Sequence, residues 1–212
     1  MNYGSAWYLG VPGSGKTSLA WSHLRAMVER DHDPALILES VPETRFLGVP
    51  LVKSVPEVVE KLWNERTSAR FVGASASEEE LDALFDAVLA GGRVHVFIDE
   101  SAFYVNARRG AFAPLPRLLR SYRHASVTVQ ATTQHASGDV SQEALACAPT
   151  LYVFRSMAPS ALEALERRYG IPPETLKGLP MPVRGAGGVT VEFLAVGADH
   201  SIAPGREFVP DP

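Results

Sequence analysis

A chain of 212 residues is long enough to bury one sizeable α/β core, and its 46% hydrophobic and 21% charged content sets it apart from disordered and collagen-like sequences. The net charge of −4 argues against a surface dressed all over for nucleic acid, and the lone cysteine, Cys147, excludes an internal disulfide and suits a reducing compartment. No apolar run approaches the roughly 20 residues of a membrane span, and Met1 to Gly10 lacks the charged start of a signal peptide, so a cytosolic location is expected.

The first predicted element is an apolar strand, Ala6, Trp7, Tyr8 and Leu9, stopped by Gly10. Gly10, Gly15, Lys16 and Thr17 then satisfy G-x-x-x-x-G-K-[ST], the phosphate-binding P-loop. Glycines at 10, 13 and 15 let the backbone curl with its N–H groups inward, a nest for phosphate oxygens. The nest opens a helix, whose dipole favours an anion there. The candidate nucleotide cradle is therefore Gly10, Pro12, Gly13, Ser14, Gly15, Lys16, Thr17 and Ser18. Lys16 would reach the β- and γ-phosphates, and the Thr17 hydroxyl would ligate Mg²⁺. ATP is the expected ligand.

Leu19, Ala20, His23, Leu24, Met27 and Val28 recur at helical spacing and predict a helix over 16–30, ended by Pro34. Ala35 to Leu38 reads as a second buried strand, and 41–54, with two prolines and a glycine, as irregular chain. Ser54 and Pro56 start a helix over 56–66, and residues 70–73 make a short strand. Ser77 followed by Glu80 has the form of a capping box opening a helix with Leu81, Leu84, Phe85, Val88 and Leu89 on its apolar face, stopped by Gly91-Gly92.

The next strand runs from Arg93 through Val94, His95, Val96, Phe97 and Ile98 into Asp99 and Glu100, the Walker B pattern. In a parallel sheet it delivers both acids at the carboxyl end, where ligands bind. Asp99 would hold Mg²⁺ through water, and Glu100 would act as general base on the attacking water. His95, among hydrophobics, reads as a core or interface histidine.

From Ser101 to Gly138 there is no Asp or Glu, yet Arg108, Arg109, Arg117, Arg120 and Arg123 all lie there. A stretch of one sign reads as a phosphate-facing surface, with Arg108 and Arg109 the candidate nucleic-acid contacts in a loop over 103–112. A helix over 114–122 precedes a β-branched strand over 126–133 that ends at Gln134, and Asp139 caps a short helix over 141–147. Then come a strand over 150–154, a helix from Pro159 to Tyr169, a Pro/Gly-rich stretch over 171–188 and a strand over 189–196. The tail from Pro204 is expected to be loose or docked on a neighbour.

Strands alternating with helices imply a three-layer α/β P-loop NTPase with a mainly parallel central sheet of the RecA-like, additional-strand class. One domain is expected over 1–212, with a core over about 5–155 and a C-terminal helix and β extension over about 156–212. The pairing of Asp99 with Glu100 favours an ATPase, because small-molecule kinases activate a substrate hydroxyl and usually lack the second acid. A small nucleotide or metabolite kinase is the alternative, and a slow nucleotide-gated scaffold a third reading.

The P-loop, the strand into Asp99-Glu100 and Arg123 just ahead of the strand ending Thr133-Gln134 together resemble the FtsK/HerA superfamily of DNA-pumping ATPases. Small size and an early P-loop are most similar to the genome-packaging ATPases of membrane-containing, double-jelly-roll viruses. The filamentous-phage assembly (zonula-occludens-toxin-like) ATPases share a similar core but normally carry a transmembrane segment. The resemblance implies that Gln134 contacts the γ-phosphate or lytic water. It implies that Arg123, 24 residues after Asp99, is an arginine finger reaching the neighbouring subunit's ATP, with Arg120 in reserve. It also implies an ATP- and Mg²⁺-dependent translocase of double-stranded DNA, working as a homo-oligomeric, hexameric ring. Its place would be the host-cell cytoplasm, at the packaging vertex with a capsid or portal-vertex protein.

Overall fold

The computed structural model describes residues 4–42, 46, 48–101, 118, 121–122, 124–134 and 149–211. The near-continuous apolar runs become central strands buried on both faces: β1 (Ala6–Leu9), β2 (Ala35–Glu39) and β5 (Val94–Ile98) have no exposed residue. Around them lie β3 (Leu51–Val52), β4 (Ala69–Val72), β6 (Val127–Thr133) and β7 (Thr150–Val153). The described strands form one sheet, and β3-β4-β2-β5-β6-β1-β7 are parallel neighbours. The strand ending at Gln134 thus lies between the P-loop strand and the Walker B strand, the additional-strand arrangement that the sequence predicts.

Alternation along each strand sorts the core into two layers. Trp7, Leu9, Leu36, Leu38, Val96 and Ile98 face one cluster with α3 (Glu78–Gly91) and α4 (Pro159–Tyr169). Ala6, Tyr8, Ile37 and Phe97 face the other, with α1 (Lys16–Asp31) and Phe46. Helices on both sides of a sheet make the expected three layers. Helix α3 begins with the predicted capping box: Ser77 Oγ accepts from Glu80 N, and the Glu80 carboxylate accepts from Ser77 N.

Besides the two-residue β3 inside the stretch 41–54, which reads as irregular chain in the sequence, three expectations are corrected in detail. The helix over 56–66 is a short α2 (Val55–Val59) that widens into a π-turn (Glu60–Asn64), where Trp63 donates its indole N–H to Gly92 O. That ring lies where a Cβ on Gly91 would have to sit, which explains the small residue there. The Pro/Gly-rich stretch contains a short helix, α5 (Pro173–Gly178), and a strand, β8 (Val183–Gly185).

The third correction is the largest. The tail is neither loose nor docked elsewhere: Ile202–Pro210 is β10, paired antiparallel along its length with β9 (Gly188–Gly197), and β9 pairs antiparallel with β7. β10 is an outer strand, where Pro204 and Pro210 are tolerated because not every N–H must join a ladder. It is anchored by a relay that is buried at Tyr8 and His23 and half-buried at Glu207. Tyr8 Oη lies 2.8 Å from His23 Nδ1, and His23 Nε2 lies 3.1 Å from the Glu207 carboxylate on β10. Tyr152 stacks on Tyr8 at 4.9 Å between centroids. The predicted helix over 141–147 and Cys147 lie outside the described residues.

His95 sits at the end of β5 remote from Asp99 and is a core histidine, 3% exposed, with Nδ1 2.6 Å from Thr128 Oγ1. Burial lowers its pKa, against the pull of Asp31 and Asp33. The folded state therefore keeps the imidazole neutral while the unfolded chain takes up a proton below about pH 6.5. Stability is fully present above that pH and is lost as the pH falls below it. The thermal midpoint should drop between pH 7 and pH 5 more steeply in the native protein than in His95→Leu. Equal slopes in calorimetry would remove His95 from the balance.

Candidate active site

The P-loop begins where β1 stops. Gly10 N donates to Thr133 O (3.2 Å) on one neighbouring strand, and Val11 N donates to Arg155 O (3.0 Å) just past β7 on the other. Gly10 is squeezed between them: a Cβ there would lie 2.7 Å from both Phe154 Cβ and Ser14 Oγ. Gly15 stands at the helix start with φ +87°, the left-handed region that a residue with a Cβ resists. It caps α1 with no side chain, which leaves first-turn N–H groups to a ligand. Lys16 is 6% exposed, with Thr17 and Ser18 half-buried beside it. A cavity of about 280 Å³ lies against Gly13, Gly15 and residues 16–18.

The two acids sit one strand beyond β6, both buried. Asp99 N donates to Leu38 O on β2 (2.9 Å), and the Asp99 carboxylate accepts from Thr132 Oγ1 (3.0 Å) and Ser40 Oγ (3.4 Å). Thr132 Oγ1 also accepts from Glu100 N (3.0 Å), so one buried hydroxyl fixes both acids. The chain turns sharply at Glu100, which adopts φ 51°, uncommon for a residue with a side chain. Its Oε1 then accepts from Thr133 Oγ1 and from Gln134 N, both at 3.2 Å. The tip of β6 touches the P-loop through Thr133 O and the second acid through Thr133 Oγ1.

Of the residues singled out in the sequence, the structure joins Gly10, Asp99, Glu100 and Gln134 through this hydrogen-bonded set. Gln134 enters it by its backbone N–H. Lys16, Thr17 and Ser18 line the adjoining cavity. Arg108, Arg109, Arg117, Arg120 and Arg123 lie outside the described residues. Sequence reasoning missed Ser40, Thr132 and Thr133 as supports of the acids. The only signal for them was position, as polar residues at the carboxyl ends of apolar strands.

Thr132 gives a direct check. Thr132→Val keeps the shape and removes the hydroxyl, leaving the buried Glu100 N–H without its partner and Asp99 one donor short. The cost of stranding such groups is about 1–3 kcal/mol. The denaturation midpoint should fall accordingly at unchanged slope, with hydrolysis impaired. An unchanged midpoint would remove Thr132 from this role.

No family model matches the sequence, and no curated protein matches it either. Solved structures do resemble the fold. The genome-packaging NTPase B204 from Sulfolobus turreted icosahedral virus 2, in complex with AMP, superposes with a TM-score of 0.76 at 16% identity, over 96% of this chain and 98% of that one. The bacterial conjugative coupling protein TrwBΔN70 gives a TM-score of 0.61 at 12% identity, over 98% and 85% of the two chains. VirB4 of Thermoanaerobacter pseudethanolicus gives 0.58 at 10% identity, over 98% and 89%. The chain therefore has the P-loop NTPase fold of these proteins, and at the level of fold the resemblance read from its nucleotide loop and paired acids is borne out.

Proposed function

We propose that the chain is an ATP-hydrolysing translocase of double-stranded DNA that packages a viral genome. The observation that carries this reading is the placement of Glu100. A second acid next to Asp99 is held by the tip of β6, and that tip is bonded to the P-loop. Small-molecule kinases, which activate an acceptor hydroxyl in place of water, usually lack that second acid. The reading is also supported by the fold shared with a packaging NTPase solved with AMP and with ATP-γS.

In this mechanism the loop amides and Lys16 bind the ATP phosphates, while the Thr17 hydroxyl would hold Mg²⁺ directly and the Asp99 carboxylate would hold it through water. One hydroxyl and one carboxylate suit an ion that prefers oxygen ligands and takes its remaining ones from phosphate and water. The ion would neutralise phosphate charge during transfer. Glu100 accepts the proton of the water that attacks the γ-phosphorus as the bond to the β,γ-bridging oxygen breaks. With Oε1 held by Thr133 and Gln134, Oε2 is the oxygen assigned to that water. The Gln134 side chain reports the γ-phosphate, and Arg123 of a neighbouring subunit neutralises transition-state charge in a hexameric ring. Arg108 and Arg109 hold DNA phosphates. The motor works in the host-cell cytoplasm at the packaging vertex, against a capsid or portal-vertex protein. Among the described residues no helix is long and apolar enough to cross a membrane.

The test is the ATPase rate with and without duplex DNA of unrelated sequences. Stimulation by any duplex is the expected result, with affinity that falls steeply as salt rises. Replacing Arg108 and Arg109 by Ala should weaken binding and flatten the salt slope by about 2, one per lost phosphate contact. A rate indifferent to DNA and dependent on a small acceptor would establish the kinase instead.

A further inference from the structure

The P-loop cavity has a second wall, and it comes from the other end of the chain. β9 runs antiparallel to β7, with Leu194 opposite Val153, so its Gly188 end extends past β7 on the nucleotide side. There it pairs with β8, Val183 opposite Thr190 and Gly185 opposite Gly188, in a hairpin standing over the loop. The contact is close. A Cβ on Gly15 would lie 2.4 Å from Val191 Cγ1 and 3.1 Å from Pro182 Cγ, and Met181 Cε comes within 3.6 Å of the same position on Gly13. Pro182, Arg184 and Val189 line the cavity opposite Lys16 and Thr17.

The strand order decides which part of a nucleotide meets this wall. β1 lies between β6 and β7, and both acids are on the β6 side. If the γ-phosphate points to the acids, the α-phosphate and nucleoside leave toward β7, where the hairpin stands. Arg184 is the charged side chain that the hairpin brings to the cavity. Its side chain is 76% exposed, and its guanidinium pairs with Asp211 at 3.3 Å. Asp211 is itself tied to the hairpin turn by its N–H to Gly187 O (2.9 Å).

Resting on the ATP-site reading above, we propose that the β8–β9 hairpin is the nucleoside-side wall of the site. Arg184 is then a binding residue for the α-phosphate, supplied by the same subunit, while Pro182 and Val189 offer apolar surface to the nucleoside. A guanidinium suits this task because it donates several charge-assisted hydrogen bonds to phosphate oxygens. The C-terminal β extension is thereby part of the nucleotide site, complementary to the phosphate loop near the N-terminus.

Isothermal titration of the full chain with ADP and with the non-hydrolysable analogue AMPPCP, in Mg²⁺, tests this in Arg184→Ala, Arg184→Lys, Asp211→Ala and Lys16→Ala. Arg184→Ala should weaken both ligands by about tenfold, the worth of one charge-assisted contact, and by the same factor, because both carry an α-phosphate. Arg184→Lys should recover part of the loss, and Asp211→Ala should retain native affinity. Unchanged affinities in Arg184→Ala overturn the inference, as does a loss confined to AMPPCP, which would place the guanidinium at the γ-phosphate. A loss reproduced in full by Asp211→Ala also overturns it, because Arg184 would then act only by tying down the tail. Lys16→Ala separates the two levels: loss of binding there with none in Arg184→Ala rejects the wall alone, whereas native binding in Lys16→Ala rejects the ATP-site reading.

Discussion

Glu100→Gln is expected to cut ATP hydrolysis by roughly 10²–10⁴-fold, the usual contribution of a positioned general base, while ATP affinity stays close to native. The amide preserves size and can still accept from Thr133 Oγ1 and Gln134 N through its carbonyl oxygen, so the tip of β6 keeps its anchor. It lacks a basic oxygen to take the proton of water. Binding and hydrolysis should separate cleanly: titration gives a native dissociation constant, and phosphate release nearly stops. Near-native turnover would take the catalytic role away from Glu100. Loss of binding would show that the substitution had disturbed the neighbouring P-loop through Thr133 and Gly10.

Arg123→Ala should have an effect as large or larger, because arginine fingers contribute about 10³–10⁵ in rate. If the residue serves the adjacent subunit, its own P-loop remains intact and ATP still binds. Inactive Arg123→Ala mixed with inactive Lys16→Ala should then recover activity, since some interfaces pair a native loop with a native finger. Mixed rings that assemble and stay inactive would exclude the role in trans. Arg120→Ala, three residues earlier in the sequence, should be measured in the same assay. If Arg123 only supports the start of β6, its removal would lower the unfolding midpoint without changing turnover per folded subunit.

The parts of the site that were legible in the sequence share a physical reason. Local chain chemistry dictates them. Gly15 must take a left-handed backbone, a lysine must follow it at the helix start, and an apolar strand must end in acids at the carboxyl edge of the sheet. Such constraints act within a few residues and leave a spacing behind. The polar supports left none. Thr132 and Thr133 look like ordinary β-branched strand residues, and only the register of β6 beside β5 turns their hydroxyls into holders of Asp99 and Glu100.

The last strand, β10, was illegible for a different reason, although its partner over 189–196 was legible. Ile202–Pro210 contains two prolines and a glycine, which argue locally against a strand. Nearly continuous pairing with β9 overrides that preference. Gly205 even has a packing reason, since Phe193 Cε2 would lie 2.2 Å from a Cβ placed there. His23 was assigned to the buried face of α1 by its spacing, which was right. Nothing in that spacing announced its polar partners, Tyr8 on β1 and Glu207 on β10.

The relay from Tyr8 through His23 to Glu207 joins positions 184 residues apart at its far step. At about 5–20 residues per second, a ribosome would deliver the glutamate roughly 10–40 s after the histidine. A growing chain therefore displays the entire phosphate-loop motif well before the strand that locks it in place has been synthesised. Contacts so distant in sequence also slow the closure of the finished chain. Translation arrested just before β10 would leave a polypeptide with every recognisable nucleotide motif and an unfinished edge beside them, a target for chaperones and proteases.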